Sequence, residues 1–291
     1  MNILVFDRFD SWHVNDLRRA SGSEHQVTTA SYADLSVRIV DENESQFSVA
    51  DNPVEQFDVI FTRAMPASSL EQIVFRMDWL DQVQKQLGIV IINPAKTIEA
   101  SVDKYLSFEK LRSTGVQVPM TSVCQNSQDA MRFFSQHNND VVLKPIFGSR
   151  GRGIERVRDE QAAIELFSQI QSEDRVIYLQ EYIEHGDWDL RLLVVGEAVH
   201  GMRRQRPNHW ITNASLGAEC SSHEVTDDER QIALTAARSQ GAYLAGVDLL
   251  YDSANQPIVV EVNANPSWRR ISETLSQDIA REIISGIEPS C

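Results

Sequence analysis

The sequence has few cysteines, no long apolar run and no excess of positive charge. Its three cysteines, Cys124, Cys220 and Cys291, are far apart and form no CxxC pair. Neither a disulfide framework nor a zinc site is therefore indicated, and a reducing cytoplasm fits best. No run reaches the length that spans a bilayer, and the first residues lack the pattern of a signal peptide. We therefore expect a cytoplasmic protein without a membrane partner.

The charge balance excludes a second class of partner. The formal net charge is −15 and the isoelectric point is about 4.9, so the chain repels a polyanion at long range. Nucleic acid is therefore not expected as a partner, and any phosphate site must be local. With 42% hydrophobic and 24% charged residues in 291, the chain is typical of a folded protein with two or three domains.

The first part of the chain has the pattern of an α/β unit with a parallel sheet. Its short apolar runs are "NILVF", "VTTASY", "FDVIFTRA" and "IVII". The segment "SLEQIVFRMDWLDQVQKQLG" has helical spacing, a serine cap at Ser68 or Ser69 and a stop at Gly88. After Pro94, "SVDKYLSFEKLRSTG" is predicted to be one helix that stops at Gly115.

The last part of the chain changes to alternating apolar and polar segments. From Val176 onward these include "VIYLQEYI", "DLRLLVVG", "AVHGMRRQ", "GVDLLYD" and "PIVVEVNAN", with one long helix, "DDERQIALTAARSQGA". This pattern predicts a mostly antiparallel sheet with helical cover, an α+β arrangement. We place the predicted domains at residues 1–93, 94–178 and 179–291.

The stretch "VVLKPIFGSRGRGIERV" combines glycines and cations in one turn. It is not a P-loop, because Ile154 and Glu155 stand where Lys and Ser or Thr are required. It is not a dinucleotide fingerprint either, since a strand rather than a helix follows. We predict a hairpin whose backbone N–H groups face phosphates beside Lys144. The alternative is a surface hairpin with solvated arginines.

The strand "PIVVEVNANP" carries polar groups at alternate positions. Glu261 and Asn263 are predicted to share one face, with Val260 and Val262 on the other. The preceding strand carries Asp248. Two carboxylates and an amide oxygen would form the kind of site that holds Mg²⁺ against nucleotide phosphates. The alternative is that the acids pair with arginines at a sheet edge.

The order of these motifs resembles the ATP-grasp superfamily, and within it the amino-acid ligases similar to RimK, which adds glutamate to a ribosomal protein. The matching stretches run from about Ile92 to Pro266 and are "INPAKTIEASVDKYLSFEKLRSTGVQVPMT", "VVLKPIFGSRGRGI", "LQEYIEHGDWDLRLLVVG", "GMRRQRPNHWITNASLGA" and "GVDLLYDSANQPIVVEVNANP". The resemblance implies an ATP-grasp fold: a parallel α/β domain at the N-terminus, then two α+β domains that grip ATP.

The resemblance also implies roles for individual residues. The lysines Lys104 and Lys144 would contact nucleotide phosphates, and Glu181 would recognise adenine beside the backbone of Tyr182 and Ile183. Asp189 would lie at the ribose or the substrate wall. The hairpin residues expected at the phosphates are Gly148, Ser149, Gly151 and Gly153. The implied metal ligands are Asp248, Glu261 and Asn263, with two Mg²⁺ ions expected and Mn²⁺ as an alternative.

The reaction implied by the resemblance is ATP-dependent amide formation through an acyl phosphate. Arg191 and one of the neighbours Arg203 and Arg204 would stabilise the transferring group, with Asn213 as a further hydrogen-bond donor. Because Arg203 and Arg204 point to opposite faces of a strand, only one can enter the cleft. We favour Arg203 on its family position.

The segment "NPSWRR" is where this family varies with substrate. Arg269 or Arg270 could hold a carboxylate, and Trp268 could form a wall. We expect glutamate and a carboxylate acceptor as substrates, nearest to the tetrahydromethanopterin-type cofactor branch. Alternatives are glutamylation of a protein or peptide C-terminus and a lysine-biosynthesis carrier-protein ligase. A non-catalytic ATP-binding regulator is the alternative from another class, and a homodimer or homotetramer would be compatible with any of these.

Overall fold

The computed structural model describes residues 1–42, 45–63, 65–148 and 151–287. Three larger sheets follow one another along the chain, and a small ribbon is inserted in the first unit. The mixed α/β architecture agrees with the predicted fold class. In the described part of the chain, no helix is long and apolar enough to cross a membrane.

The N-terminal unit is a parallel sheet with strand order β2-β1-β6-β7. A small antiparallel ribbon, β3-β4-β5, was not predicted because its exposed strands lack a clear apolar alternation. The elements are β1 (Asn2–Phe6), α1 (Trp12–Ser21), β2 (Gln26–Ala30), β3 (Leu35–Ile39), β4 (Ser45–Val49), β5 (Asn52–Pro53), β6 (Val59–Thr62), α2 (Leu70–Leu87) and β7 (Val90–Ile92). Ser69 caps α2 and Gly88 ends it with φ 68°, as predicted.

The middle of the chain forms an antiparallel sheet with strand order β10-β9-β11-β8. The elements are α3 (Ala95–Val102), α4 (Lys104–Ser113), β8 (Thr121–Cys124), α5 (Ser127–Gln136), β9 (Val141–Lys144), β10 (Glu155–Val157), α6 (Glu160–Ser172) and β11 (Ile177–Glu181). The glycine-rich stretch joins β9 and β10, which confirms the predicted hairpin. The single helix predicted from Ser101 is corrected: it is broken at Asp103, whose side chain caps α4.

The C-terminal unit is an antiparallel sheet with strand order β14-β13-β12-β15-β16, covered by α7. The elements are β12 (Trp188–Val195), β13 (Ala198–Gln205), β14 (Glu219–His223), α7 (Asp227–Gln240), β15 (Leu244–Tyr251), β16 (Pro257–Asn263), α8 (Arg269–Leu275) and α9 (Ile279–Ser285). The predicted alternation and the long helix are therefore confirmed.

Shared apolar cores join the units. One core combines side chains of β1 and β6 with those of α8, α9 and the C-terminal sheet, including the fully buried Trp268. Leu111 of α4 belongs to the core between the C-terminal sheet and α7. The segment after residue 94 therefore packs on the C-terminal unit, and the domain boundaries at 93 and 178 stay predictions.

Asn93 links the end of β7 to the C-terminal sheet and is 1% exposed. Its amide nitrogen donates to the carbonyls of Leu244 at 2.7 Å and Ala264 at 2.6 Å. Its amide oxygen accepts from the backbone N–H groups of Tyr243 and Leu244 at 2.9 and 3.2 Å. One side chain thus satisfies buried backbone groups on two segments that carry predicted metal ligands.

We expect Asn93→Ala to lower the free energy of unfolding by about 2–4 kcal/mol, because it leaves several buried backbone groups without partners. Urea unfolding followed by tryptophan fluorescence measures the loss. Asn15→Ala, at an exposed position, is the control and should change little. Equal stabilities of the two variants would contradict the role of Asn93.

Candidate active site

A cleft lies between the middle sheet and the C-terminal sheet. Many of the residues predicted from the sequence line it together: Lys144, Glu181, Tyr182, Ile183, Asp189, Asn213, Asp248 and Glu261. Residues far apart in the chain therefore meet at one place.

Lys144 lies at the end of β9 and points into the cleft. Its ammonium donates to Gln180 Oε1 at 2.5 Å, and Gln180 is held in turn by Thr121 and Tyr178 at 3.1 Å. Burial, together with a smaller effect of Lys104, lowers the pKa of Lys144 to about 8, although Glu261 and Asp248 oppose the shift. Lys144 is thus a fixed cation that an anionic ligand would stabilise. Sequence reasoning missed Gln180, although it precedes the predicted Glu181.

Lys104 is the first residue of α4 and contacts the glycine hairpin. Its ammonium donates to the carbonyl of Gly148 at 3.0 Å and is 3.4 Å from that of Ile146. Burial lowers its pKa, and Glu261 opposes this shift. The carboxylate of Glu261 therefore acts on the pKa of both lysines that are predicted to contact phosphate.

The hairpin glycines are required by close approaches. A Cβ on Gly148 would lie 2.7 Å from the Pro145 ring. Gly151 has φ 71°, and a Cβ there would lie 2.7 Å from Asn213 Oδ1. The hairpin thus reaches across to the segment after β13. Gly153 also has positive φ, whereas the predicted Ser149 lies outside the described residues.

A buried chain of alternating charges crosses the floor of the cleft. Arg204 donates to both oxygens of Asp189 at 2.6 Å and lies 3.1 Å from Asp248. Arg191 donates to the other oxygen of Asp248 at 2.5 Å. Both carboxylates are almost fully buried, so their negative charges require these guanidinium partners. The two arginines hold the pKa of Asp248 below its usual value even though burial raises it.

Two details of the strands make this charge chain possible. Gly246 leaves the space that Arg191 occupies, since a Cβ there would lie 2.6 Å from the guanidinium carbon. Thr212 donates to Asp189 at 2.6 Å and so ties the segment before Asn213 to the sheet. Asp189 lines the cleft, but both of its oxygens are engaged by Arg204 and Thr212, so neither oxygen is a free acceptor for a ribose.

The preference for Arg203 is corrected by the structure. Residues paired across antiparallel strands share a face, and Arg204 pairs with Asp189 whereas Arg203 pairs with Leu190. Arg203 therefore lies on the other face, 4.2 Å from the ring centroid of Trp188. Arg204 is the neighbour that enters the cleft, as its contacts with two carboxylates show.

Glu261 lies directly opposite Asp248 in the pairing of β15 and β16. Within the described ranges its carboxylate makes no hydrogen bond or ion pair. Burial and the neighbouring Asp248 raise its pKa. A bulge in the strand turns Val260 to the cleft as well, contrary to the simple alternation predicted for it. Glu261 is thus a carboxylate that lacks a partner beside two lysines.

Asn263 lies one alternation beyond Glu261 on β16, opposite Gly246. Its side-chain oxygen accepts the backbone N–H of Asn265 at 2.8 Å, which fixes the turn that follows. One lone pair of this oxygen is therefore engaged in the turn, and the other is available to a ligand.

The upper wall of the cleft is aromatic. Tyr182 is covered on one side by Arg156, 3.3 Å from its ring centroid, and meets Trp210 edge to face at 6.0 Å. Glu181 accepts the backbone N–H of Met120 at 2.8 Å, so one carboxylate oxygen is engaged. Trp210 was not singled out in the sequence, although it belongs to the stretch "NHWITNASLGA" that suggested Asn213.

The predicted substrate residues after β16 lie apart from this cleft. Trp268 is fully buried, and its indole N–H donates to Asp16 at 2.9 Å, so it is not a free wall. Arg269 and Arg270 are exposed and share Glu273, at 2.9 and 3.5 Å. These residues meet the N-terminal unit instead.

Anion binding in the cleft should depend on pH through Lys144. Because its pKa is lowered to about 8, the positive charge is lost as the pH rises through that value. We expect the affinity for inorganic tripolyphosphate to fall between pH 7 and pH 9, measured by titration calorimetry, and Lys144→Met to remove most of that dependence. Lys85→Met, at an exposed position, is the control. A pH dependence unchanged in Lys144→Met would contradict this assignment.

The sequence and the fold were compared with known proteins. A tetrahydromethanopterin:alpha-L-glutamate ligase of Methanococcus maripaludis is 32% identical over 218 residues, 73% of each chain. A probable alpha-L-glutamate ligase of an Enterobacter species is 34% identical over 209 residues, 70% of this chain and 69% of the relative. The solved ATP-grasp ligase PsnB, complexed with minimal precursor, Mg and ADP, has a similar fold, with TM-score 0.75, 16% identity and coverage of 98% of this chain and 96% of that chain.

A family match covers most of the chain. Residues 101–287 match the RimK-like ATP-grasp domain, which includes every predicted nucleotide and metal residue. The chain therefore belongs to the RimK-like ATP-grasp family of ATP-dependent ligases.

Proposed function

We propose that this ligase joins L-glutamate to a carboxylate of a tetrahydromethanopterin-type one-carbon cofactor, with ATP as the energy source. The observation that carries the proposal is the unpartnered Glu261 in a cleft that Lys144 also lines, with Lys104 near enough to lower the pKa of Glu261. Such a site suits the binding of a polyanion together with a divalent cation. The glutamate ligases among the relatives support the choice of amine.

The middle sheet forms one side of the proposed nucleotide site. Lys104 and Lys144 would hold phosphates, and the hairpin glycines leave backbone N–H groups free to approach them. The aromatic wall at Tyr182 would receive the base beside Glu181. The proposed roles keep the three predicted units, 1–93, 94–178 and 179–291, with the nucleotide between the last two.

The residues of the cleft fit a Mg²⁺ ion in part, and Glu261 is the ligand that fits best. A carboxylate without a partner, whose pKa is raised by burial and by Asp248, is stabilised when a divalent cation binds beside it. Asn263 would add an amide oxygen, and Asp248 would have to exchange a guanidinium contact for the ion, because Arg191 and Arg204 hold both of its oxygens. The described residues contain no group of three His, Cys, Asp or Glu side chains arranged for a metal. When bound, the ion would neutralise phosphate charge.

The proposed chemistry follows from the poor leaving group of a carboxylate. An acceptor carboxylate oxygen attacks the γ-phosphorus of ATP and ADP leaves; the glutamate amine then attacks the acyl carbon and phosphate leaves. Arg204 and Arg191 would stabilise the charge that develops on the transferring group, because their positions are fixed by Asp189 and Asp248. Fixed donors need no rearrangement at the moment of reaction.

A second acceptor class has specific support. Another solved structure of PsnB contains the precursor peptide PsnA2, so a peptide or carrier-protein carboxylate is the alternative acceptor. A non-catalytic ATP-binding regulator is disfavoured because both lysines and all three predicted metal residues are present. A homodimer or homotetramer stays a prediction.

The test incubates the protein with ATP, MgCl₂, L-glutamate and one acceptor at a time: a tetrahydromethanopterin precursor, a peptide ending in glutamate, or buffer. Mass spectrometry of the acceptor and release of ADP are followed together. We expect a glutamyl increment on the pterin with matching ADP. An increment on the peptide alone would move the acceptor to the second class, and nucleotide binding without ADP release under any condition would refute a ligase.

We expect Glu261→Gln to lower turnover by at least about 100-fold, because the cation would lose its one unpartnered carboxylate. The midpoint of urea unfolding should stay equal or rise, since a buried charge beside Asp248 is removed. Glu224→Gln, an exposed carboxylate of the same unit, should leave both quantities unchanged. Full turnover in Glu261→Gln would rule out the metal assignment.

A further inference from the structure

The parallel sheet of the N-terminal unit has a topological switch point that the proposed cleft does not use. From β1 the chain passes to β2 on one side, and β6 and β7 lie on the other. The loops that leave the carboxyl ends of β1 and β6 therefore diverge, and ligands of open α/β sheets bind in the crevice between such loops. Asp7 follows β1 and Arg63 follows β6 at this edge.

Arg63 is a buried cation with few neighbouring groups that neutralise its charge or accept its hydrogen bonds. It is 7% exposed, and one guanidinium nitrogen donates to the carbonyl of Pro266 at 2.9 Å. Its Nε is buried without a hydrogen-bond partner, and no described carboxylate forms an ion pair with it. Burial lowers its pKa to about 10, with Asp7 opposing the shift. A buried guanidinium of this kind is costly unless a carboxylate or phosphate completes its hydrogen bonds.

The groups around Arg63 do not provide that carboxylate. Asp7 is engaged locally, accepting the backbone N–H of Arg8 at 2.7 Å and the hydroxyl of Ser11 at 2.9 Å. The opposite side is the face of Trp268, 4.7 Å from the guanidinium carbon. Tyr32 is near enough to raise the pKa of Arg63 slightly, and its own buried hydroxyl is also without a hydrogen-bond partner.

His13 of α1 and residues of the C-terminal unit meet at this crevice. His13 contacts Ser267 at 2.9 Å and Trp268 at 4.6 Å between ring centroids. Burial, Arg63 and Arg269 keep His13 uncharged by lowering its pKa to about 3. Arg269 lies at the rim, where Glu273 already holds it. Among the described residues the crevice therefore holds one buried cation, Arg63, that no carboxylate pairs.

We infer that this crevice binds a carboxylate of the incoming amino acid, with Arg63 as its principal partner. The inference rests on the proposed ligase function and adds the amine's binding site to it. Pro266, which Arg63 contacts, lies three residues after Asn263, so the crevice adjoins the proposed metal ligands. An amino acid held by a carboxylate at Arg63 would have its amine directed along the turn toward the cleft.

The chemistry of the crevice selects a carboxylate over the other small anions of the reaction. Trp268 and Trp12, whose ring centroids are 6.4 Å apart, give it apolar walls, which suit the carbon chain of an amino acid better than a free phosphate. The neutral His13 offers a hydrogen bond without adding charge. Arg63 is thus a specificity-determining residue, distinct from the arginines of the cleft.

The experiment measures binding of L-glutamate by titration calorimetry to the full-length protein saturated with Mg²⁺ and a non-hydrolysable ATP analogue. We expect Arg63→Gln to weaken glutamate binding roughly 10- to 100-fold, the range for a lost hydrogen bond to a charged group. Affinity for the ATP analogue should stay unchanged, and Arg63→Lys should recover part of the loss. Arg76→Gln is the matched control, since Arg76 is also a buried arginine of this unit and donates to Pro66 and Ser68.

Two analogues identify which carboxylate is held. L-Glutamine lacks the side-chain carboxylate and L-isoglutamine lacks the α-carboxylate. The wild-type protein should bind one of the two analogues more weakly than L-glutamate, and this difference in affinity should disappear in Arg63→Gln. Loss of the difference for either analogue supports the inferred site. Equal glutamate affinity of wild type and Arg63→Gln, or no glutamate binding by the wild type, would overturn it. Because binding needs no turnover, absence of ADP release with every acceptor would refute the ligase separately.

Discussion

The cleft depends on the neutralisation of buried charge. Three carboxylates point from neighbouring strands into a space with little water, and each must find positive charge nearby. Asp189 and Asp248 find it in Arg204 and Arg191, whose positions are thereby fixed. Glu261 forms no ion pair with Lys104 or Lys144, and these two lysines lower its pKa only from a distance. Glu261, the one carboxylate of these three without an ion pair to a described residue, is thus placed where a nucleotide-bound cation would neutralise its charge.

Small residues and backbone contacts allow these charges to meet. Gly246 lets Arg191 lie flat across β15, and Gly151 brings the hairpin against Asn213. Asn93 ties the end of the first sheet to the turn after Asn263. The same turn carries Pro266, the partner of Arg63. Packing between units therefore places the buried Arg63 near the turn that follows the proposed metal ligands.

Local patterns were sufficient to predict much of the fold. The capped helix from Ser69, the hairpin after Lys144 and the antiparallel C-terminal sheet all depend on spacing within one segment. The face of Arg204 and the bulge at Val260 depend on register with neighbouring strands, which a single strand does not encode. Likewise, the burial of Trp268 and the isolation of Arg63 arise where two units meet, far apart in sequence. Membership in the family is shown, whereas the roles of individual site residues stay predictions.

If this cleft activates a carboxylate by phosphorylation, one oxygen of that carboxylate leaves with inorganic phosphate. The most direct test follows ¹⁸O from a labelled acceptor carboxylate into inorganic phosphate, read by mass spectrometry during turnover with ATP and L-glutamate. We expect one labelled oxygen in the phosphate for each amide bond formed. Amide formation with unlabelled phosphate would contradict it.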